Sequence, residues 1–197
     1  MKIILYLLLF LTLQEIQQNI KNNFSWINDV QGNMEIRISL SDTTFSQSMK
    51  FYMENSQEGK RIKIESNGEK VMLKNNKMFF KEKSLSFPQI PDTGNIFPEG
   101  EVNINSRGDV IEIECTPQDT TSGILNYKFY VDKNTYNIKI SEITTKFGVI
   151  YTNFEYQKYS EGYFYKKVKT LSQKGIVTVI EYKDVEINKG IPESFWK

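Results

Sequence analysis

A chain of 197 residues with 25 Lys and Arg against 24 Asp and Glu carries a formal net charge of +1, so it lacks the basic excess that would hold nucleic-acid phosphates. It has no histidine and one cysteine, which removes the commonest general base, the commonest zinc ligand and any intramolecular disulfide. The length suits one domain held by packing, and the sequence points to no enzyme, no metal and no cofactor.

The first element is the apolar run Ile3 to Leu13, which follows Lys2. It has the length of a signal-peptide hydrophobic region and falls short of the ~20 residues of a membrane span. It is apolar on every side, so it predicts export, either as a cleaved leader or as an anchor that stays attached. The second option arises because the chain contains no alanine and L-T-L-Q-E stands where a small-residue cleavage site belongs. A lipoprotein box is excluded, since the only cysteine, Cys115, lies deep in the chain. Residues 1–13 are therefore read as signal peptide or N-terminal membrane anchor, and 14–197 as one domain.

From Gln14 to Phe24, apolar Ile16, Ile20 and Phe24 recur every four residues, which predicts a short amphipathic helix. After Gly32 the period becomes two. Met34, Ile36, Ile38 and Leu40 alternate with Glu35, Arg37 and Ser39, the pattern of a half-buried antiparallel strand. Phe45, Met49, Phe51 and Met53 share the next face, then Ile62 with Ile64, Val71 with Leu73, and Met78 with Phe80, the last two pairs following Asn67-Gly68 and Asn75-Asn76 turns. Downstream come Ile111, Ile113 and buried Cys115 opposite solvent-facing Glu112 and Glu114. Leu125, Tyr127, Phe129 and Val131 follow, then Ile138 with Ile140, two aromatic-rich strands, and the run from Ile176 to Ile187. About ten or eleven strands with one helix exclude a βαβ architecture and require a strongly curved antiparallel sheet.

Residues 84–98 break the pattern with three prolines among Leu85, Phe87, Ile90, Ile96 and Phe97. This stretch is either a loop packed on the core edge or a lid over an apolar cavity. The stretch 156–167 interleaves tyrosines with lysines and is either an exposed hairpin or a patch for anionic headgroups. Arg107-Gly108-Asp109 reads as a turn, and Asp132-Lys133-Asn134 starts like a calcium loop but lacks its glycine and distal glutamate.

The strand-turn-strand K-F-Y-V-D-K-N-T-Y-N-I-K-I (128–140), the following F-G-V-I-Y-T-N-F-E-Y (147–156), the ending V-E-I-N-K-G-I-P-E-S-F (185–195) and K-V-M-L-K-N-N-K-M-F-F-K (70–81) occur in an order similar to that of the LolA/LolB-like group of periplasmic lipoprotein carriers. The resemblance spans nearly the whole chain after the leader. It implies a mainly β fold, an unclosed barrel with an N-terminal helix and a short lid, in a periplasmic or tethered extracytoplasmic monomer. It also implies a non-enzymatic carrier whose partners are acyl chains of lipoproteins or lipids, together with inner- or outer-membrane transfer proteins. Arg61 stands in a different context from the functional arginine of the group and takes no role from it. The alternative function is an envelope sensor or scaffold of the same fold, with a filled interior and a protein partner.

An acyl chain needs a concave apolar surface, at about 0.8 kcal/mol per methylene removed from water. The inward faces that would provide one comprise Met34, Ile36, Ile38, Met49, Phe51, Met53, Ile62, Ile64, Leu73, Met78, Phe80, Tyr127 and Phe129, with Leu85, Phe87, Ile90, Ile96 and Phe97 as the lid. Those side chains either line a cavity or pack on one another.

Overall fold

The computed structural model describes residues 2–56, 59–66, 69–74, 96–119, 121, 123–172 and 174–196, with side chains described from Leu13 onward outside 56–60 and 67–95. Helix α1 (Lys2–Ser25) precedes β1 (Asp29–Leu40), β2 (Thr43–Ser56), β3 (Gly59–Ser66) and β4 (Glu69–Lys74). Then follow β5 (Gly100–Arg107), β6 (Val110–Pro117), β7 (Ile124–Asp132), β8 (Ile138–Thr145), β9 (Gly148–Lys158), β10 (Tyr163–Leu171), β11 (Val177–Ile187) and a closing 3₁₀ turn, Glu193–Trp196. Among the described residues no helix is long and apolar enough to cross a membrane.

The strands form one 11-stranded sheet in the order β4-β3-β2-β1-β11-β10-β9-β8-β7-β6-β5, antiparallel throughout. It consists of two meanders joined where the first strand pairs with the last, Met34 opposite Tyr182 and Ile36 opposite Ile180. β4 and β5 are the free edges, so the sheet is an unclosed barrel. Hairpin turns alternate between two ends. One end carries the β1–β2, β8–β9 and β10–β11 turns and is called the upper end; the lower end carries the join from α1 to β1 and the β9–β10 turn.

The helix begins at Lys2, well ahead of the predicted start at Gln14, because the apolar run continues the same helical backbone. Its stripe behaves as the four-residue period requires. Ile16 and Ile20 pack with Phe97, Ile111, Ile113, Cys115 and Val131, while Phe24 joins a second cluster on β1, β2, β10 and β11. At the lower end Asn23 Nδ2 donates to Asn137 Oδ1 at 3.1 Å, which fixes the helix to the β7–β8 turn. That turn is an Asx turn rather than a calcium loop: Asp132 Oδ1 accepts from the backbone N–H groups of Asn134 and Thr135 and from the Thr135 hydroxyl. Burial pushes the Asp132 carboxyl up, but these hydrogen bonds outweigh it and hold the group below its usual range. Asp29 joins the start of β1 to the C-terminal segment, its Oδ1 accepting from the N–H groups of Lys189 and Gly190 at 3.1 Å each.

One expectation changes. Ile138 pairs with Val131 and Ile140 with Tyr130, so an extra residue on β8, Lys139, puts the two isoleucines on opposite faces. The Tyr-rich stretch forms the expected β9–β10 hairpin, with Gln157, Lys158, Ser160, Glu161 and Lys166 exposed, while some of its tyrosines turn inward. Tyr156 and Tyr165 pack into the core, and Tyr159 lies against Trp26 with ring centroids 6.2 Å apart. Of the 84–98 stretch, Phe97 is buried with its ring 5.1 Å from Phe129 and Ile96 packs beside it; Met78, Phe80, Leu85, Phe87 and Ile90 lie outside the described residues. Gly108, at φ +58°, makes the turn expected of Arg107-Gly108-Asp109.

Candidate functional site

The inner face of the sheet, where α1 packs, has two unlike halves. In the lower half Met34, Ile36, Met49, Phe51, Met53 and Ile64 are all buried and belong to one cluster, with Ile38 and Ile62 packed against it. The last strands complete this layer. Phe164 is fully buried between Phe51, 6.4 Å away and nearly parallel, and Tyr182, 5.5 Å away and edge-on. Tyr165 stacks on Phe24 at 5.5 Å and meets Tyr156 at 5.1 Å. A bulge at Lys166 makes this possible, because Tyr165 and Val168 stand three apart and would otherwise face opposite sides. Burial pushes the phenols of Tyr156, Tyr165 and Tyr182 above their ordinary range.

The upper half is different. One row of paired residues crosses the inner face as Phe45, Ile38, Thr178, Thr170, Thr152, Ser141, Phe129 and Ile113. Its centre, on β8 to β11, consists of short side chains, and the three threonines remain half-buried beneath nothing larger than themselves in that row. The row above runs Ile150, Ile143, Tyr127 and Cys115. The short-side-chain row is flanked along the sheet by Ile38 and Phe45 on one side and by Phe129 and Ile113 on the other, with Ile143, Ile150 and Tyr127 in the row above. The Thr152 and Thr170 hydroxyls lie 3.1 Å apart and bond each other.

The outer face is polar and ion-paired. Arg37 meets Glu181 at 2.8 Å, Lys167 meets Glu181 at 3.1 Å and Lys183 meets Glu35 at 2.7 Å. The hydrogen bond from Lys167, with Arg37 beside it, holds the Glu181 carboxyl below its usual range. Glu112 and Glu114 lie on this face next to Lys128, at 3.3 and 3.7 Å. Arg61 is also here, paired with Glu193 at 2.9 Å, while Lys63 donates to the Phe195 carbonyl at 2.7 Å and sits 3.7 Å from the centre of the Phe195 ring. The C-terminal turn is therefore docked outside β2 and β3, away from that row.

The structure thus gathers Met34, Ile36, Met49, Phe51, Met53 and Ile64 in the packed lower layer and places Ile38 and Phe129 at either end of the short-side-chain row, with Tyr127 in the row above. Leu73 pairs with Ile62 on the same face of β4, its side chain outside those described. Sequence reasoning missed the threonine row and the contribution of Phe164, Tyr165 and Tyr182. Alternation alone offers no signal that Thr152, Thr170 and Thr178 meet; that requires the pairing of three strands.

The architecture is an open antiparallel barrel whose concave face is partly covered by an N-terminal helix. Solved structures share it. A domain named for outer membrane lipoprotein sorting, from Vibrio parahaemolyticus, is similar at a TM-score of 0.67 and 16% identity over 93% of this chain and 95% of that one. A DUF1329 family protein from Desulfovibrio piger gives 0.69 at 12% identity, covering 94% and 96%. A LolA superfamily protein from Nitrosomonas europaea gives 0.61 at 13% identity, covering 93% and 96%. The chain has a LolA-like fold, as the resemblance implied. No protein-family model and no curated protein sequence matches the chain.

Proposed function

We propose that the protein is an extracytoplasmic, periplasmic carrier that holds the acyl chains of lipoproteins or lipids in the upper groove of its concave face. The observation that carries this reading is the row of Thr178, Thr170, Thr152 and Ser141, short side chains flanked by Ile38, Phe45 and Phe129, with Tyr127 in the row above. Affinity comes from apolar burial at about 0.8 kcal/mol per methylene, and no reaction is catalysed. The likeness in fold to a domain named for outer membrane lipoprotein sorting and to a LolA superfamily protein supports the same reading.

The test fills the groove. Thr170→Phe adds a ring to the floor and should abolish uptake of a fluorescent fatty acid, while native mass spectrometry of the parent purified without detergent should find acyl-bearing mass bound. Undiminished uptake by the filled variant refutes the groove as the site. One observation favours a second reading, a scaffold that binds a protein partner: the Met-rich lower face is already occupied by its own side chains. A parent that purifies without lipid and takes up none supports that scaffold.

A further inference from the structure

The large apolar side chains that remain exposed are concentrated at one end of the barrel. Leu40, Phe45, Leu125, Phe147, Tyr151 and Leu171 are each at least 40% exposed, and all stand on strand ends or turns of the upper end. Among the described residues the lower end exposes Val110 alone. Phe147 is the extreme case, 84% exposed at the tip of the tight turn between β8 and β9. A folded chain in water gains nothing by presenting an aromatic ring there, and six such groups on one rim exceed the scattered exposure of an ordinary surface.

Exposed lysines accompany them. Lys146 precedes Phe147 in its turn, and Lys174 occupies the neighbouring β10–β11 turn, two strands or roughly 10 Å along the rim. The helix points to the same end. Asn23 is tied to the lower-end turn, Ile16 packs with Phe97 just ahead of the upper end of β5, and the backbone continues to Lys2, about 16 Å beyond Leu13 at 1.5 Å per residue. The residues carried there are the apolar run of the sequence.

We propose that the upper rim docks on an anionic lipid bilayer, with Phe147 entering the boundary between headgroups and acyl chains and Lys146 and Lys174 meeting the headgroups. An aromatic tip beside lysines suits that interface, where one end is apolar and the other wet. The docking requires no cargo and stands apart from the carrier reading.

The test uses the 197-residue chain and vesicles of phosphatidylethanolamine with phosphatidylglycerol, or of phosphatidylcholine alone, prepared with brominated acyl chains that quench tryptophan. Phe147→Trp places a reporter at the rim and Val110→Trp one at the opposite end, each read against the parent baseline from Trp26 and Trp196. Extra quenching is expected for Phe147→Trp on the anionic vesicles and none for Val110→Trp. Removing a lysine charge should weaken partition about fivefold, from ~1 kcal/mol per lysine at an anionic surface. Lys146→Gln and Lys174→Gln together should therefore lose more than tenfold, with a matching loss on adding salt. Equal quenching at both ends, or none at either, overturns the proposal. So does concentration-dependent self-association that Phe147→Ser abolishes without any vesicle quenching, which would assign the rim to contact between copies. Phe147 is too exposed for these changes to unfold the chain, and fatty-acid uptake in the same variants reports on the groove independently.

Discussion

The substitution Phe164→Ala tests whether the lower inner face is a packed layer. Phe164 is fully buried, with its ring against Phe51, Tyr165 and Tyr182 at centroid distances of 6.4, 5.8 and 5.5 Å. Losing the buried ring forfeits about 1.5–3 kcal/mol of transfer free energy, and the space left among rings that cannot collapse raises the total to about 3–5 kcal/mol. Against the ~5–15 kcal/mol that holds a domain together, this is a large share. With a urea slope near ~2 kcal/mol/M, the midpoint should fall by about 2 M, with the slope unchanged. The assay is equilibrium urea unfolding followed by tyrosine and tryptophan fluorescence. A loss below ~1 kcal/mol would refute the packing argument, because it would mean that the ring already faces free space and that the Met-rich face beneath it is hollow.

Gly100→Ala should be strongly destabilising, since a Cβ there would sit 2.0 Å from the backbone oxygen of Thr116, and a backbone oxygen in a paired strand cannot step aside; a thermal midpoint within ~2 °C of the parent would contradict this. Asp29→Ala removes the carboxylate that accepts from the N–H groups of Lys189 and Gly190 and should cost about 1–3 kcal/mol in urea, the range of a hydrogen bond to a charged group, whereas Asp29→Asn, which keeps a carbonyl oxygen there, should cost less. Burial, helped by Glu114, pushes the Cys115 thiol up to about 11, so a thiol reagent at pH ~8 should modify it only after denaturant unfolds the chain. The buried phenols of Tyr156, Tyr165 and Tyr182 hold their protons where the unfolded chain releases them. Their contribution is therefore complete below the ordinary phenol value of ~10 and is lost as pH rises above it, which urea midpoints at pH ~9 and ~11 will detect.

How much of this was legible in the sequence depends on whether a feature is local. The stripe of Ile16, Ile20 and Phe24 announced a buried helix face because four-residue spacing is set by the helix itself. The period of two in Met34, Ile36 and Ile38 likewise placed β1 correctly, and the strand count followed from the turns between such runs. Bulges were not legible. One extra residue at Lys139 separates Ile138 from Ile140, and one at Lys166 brings Tyr165 to the side of Val168, yet a lysine in an alternating strand reads as an ordinary outward residue and not as an insertion. The inward turn of tyrosines in the otherwise exposed hairpin has the same origin. Amphipathic tyrosines suit either an interface or a core, and only the register against β9 and the helix end at Phe24 turns Tyr156 and Tyr165 inward.

The division of the concave face follows from how an eleven-stranded open sheet can be filled. A closed barrel of about eight strands is just filled by its own side chains, so a wider open sheet needs added material or leaves a groove. Here α1 covers β6 and β7 through Ile16 and Ile20, and the rings of Phe51, Phe164, Tyr165 and Tyr182 fill the lower span from β2 to β11. Among the described residues, what neither cluster includes is the upper centre, where the sequence supplies threonines instead of rings. Large residues there would have joined the two clusters into one core. Three threonines keep them apart, and the mutual bond between Thr152 and Thr170 lowers the cost of covering their hydroxyls with an apolar guest. A ring in that row would join the two clusters, so the proposed acyl-binding role rests on this row staying short.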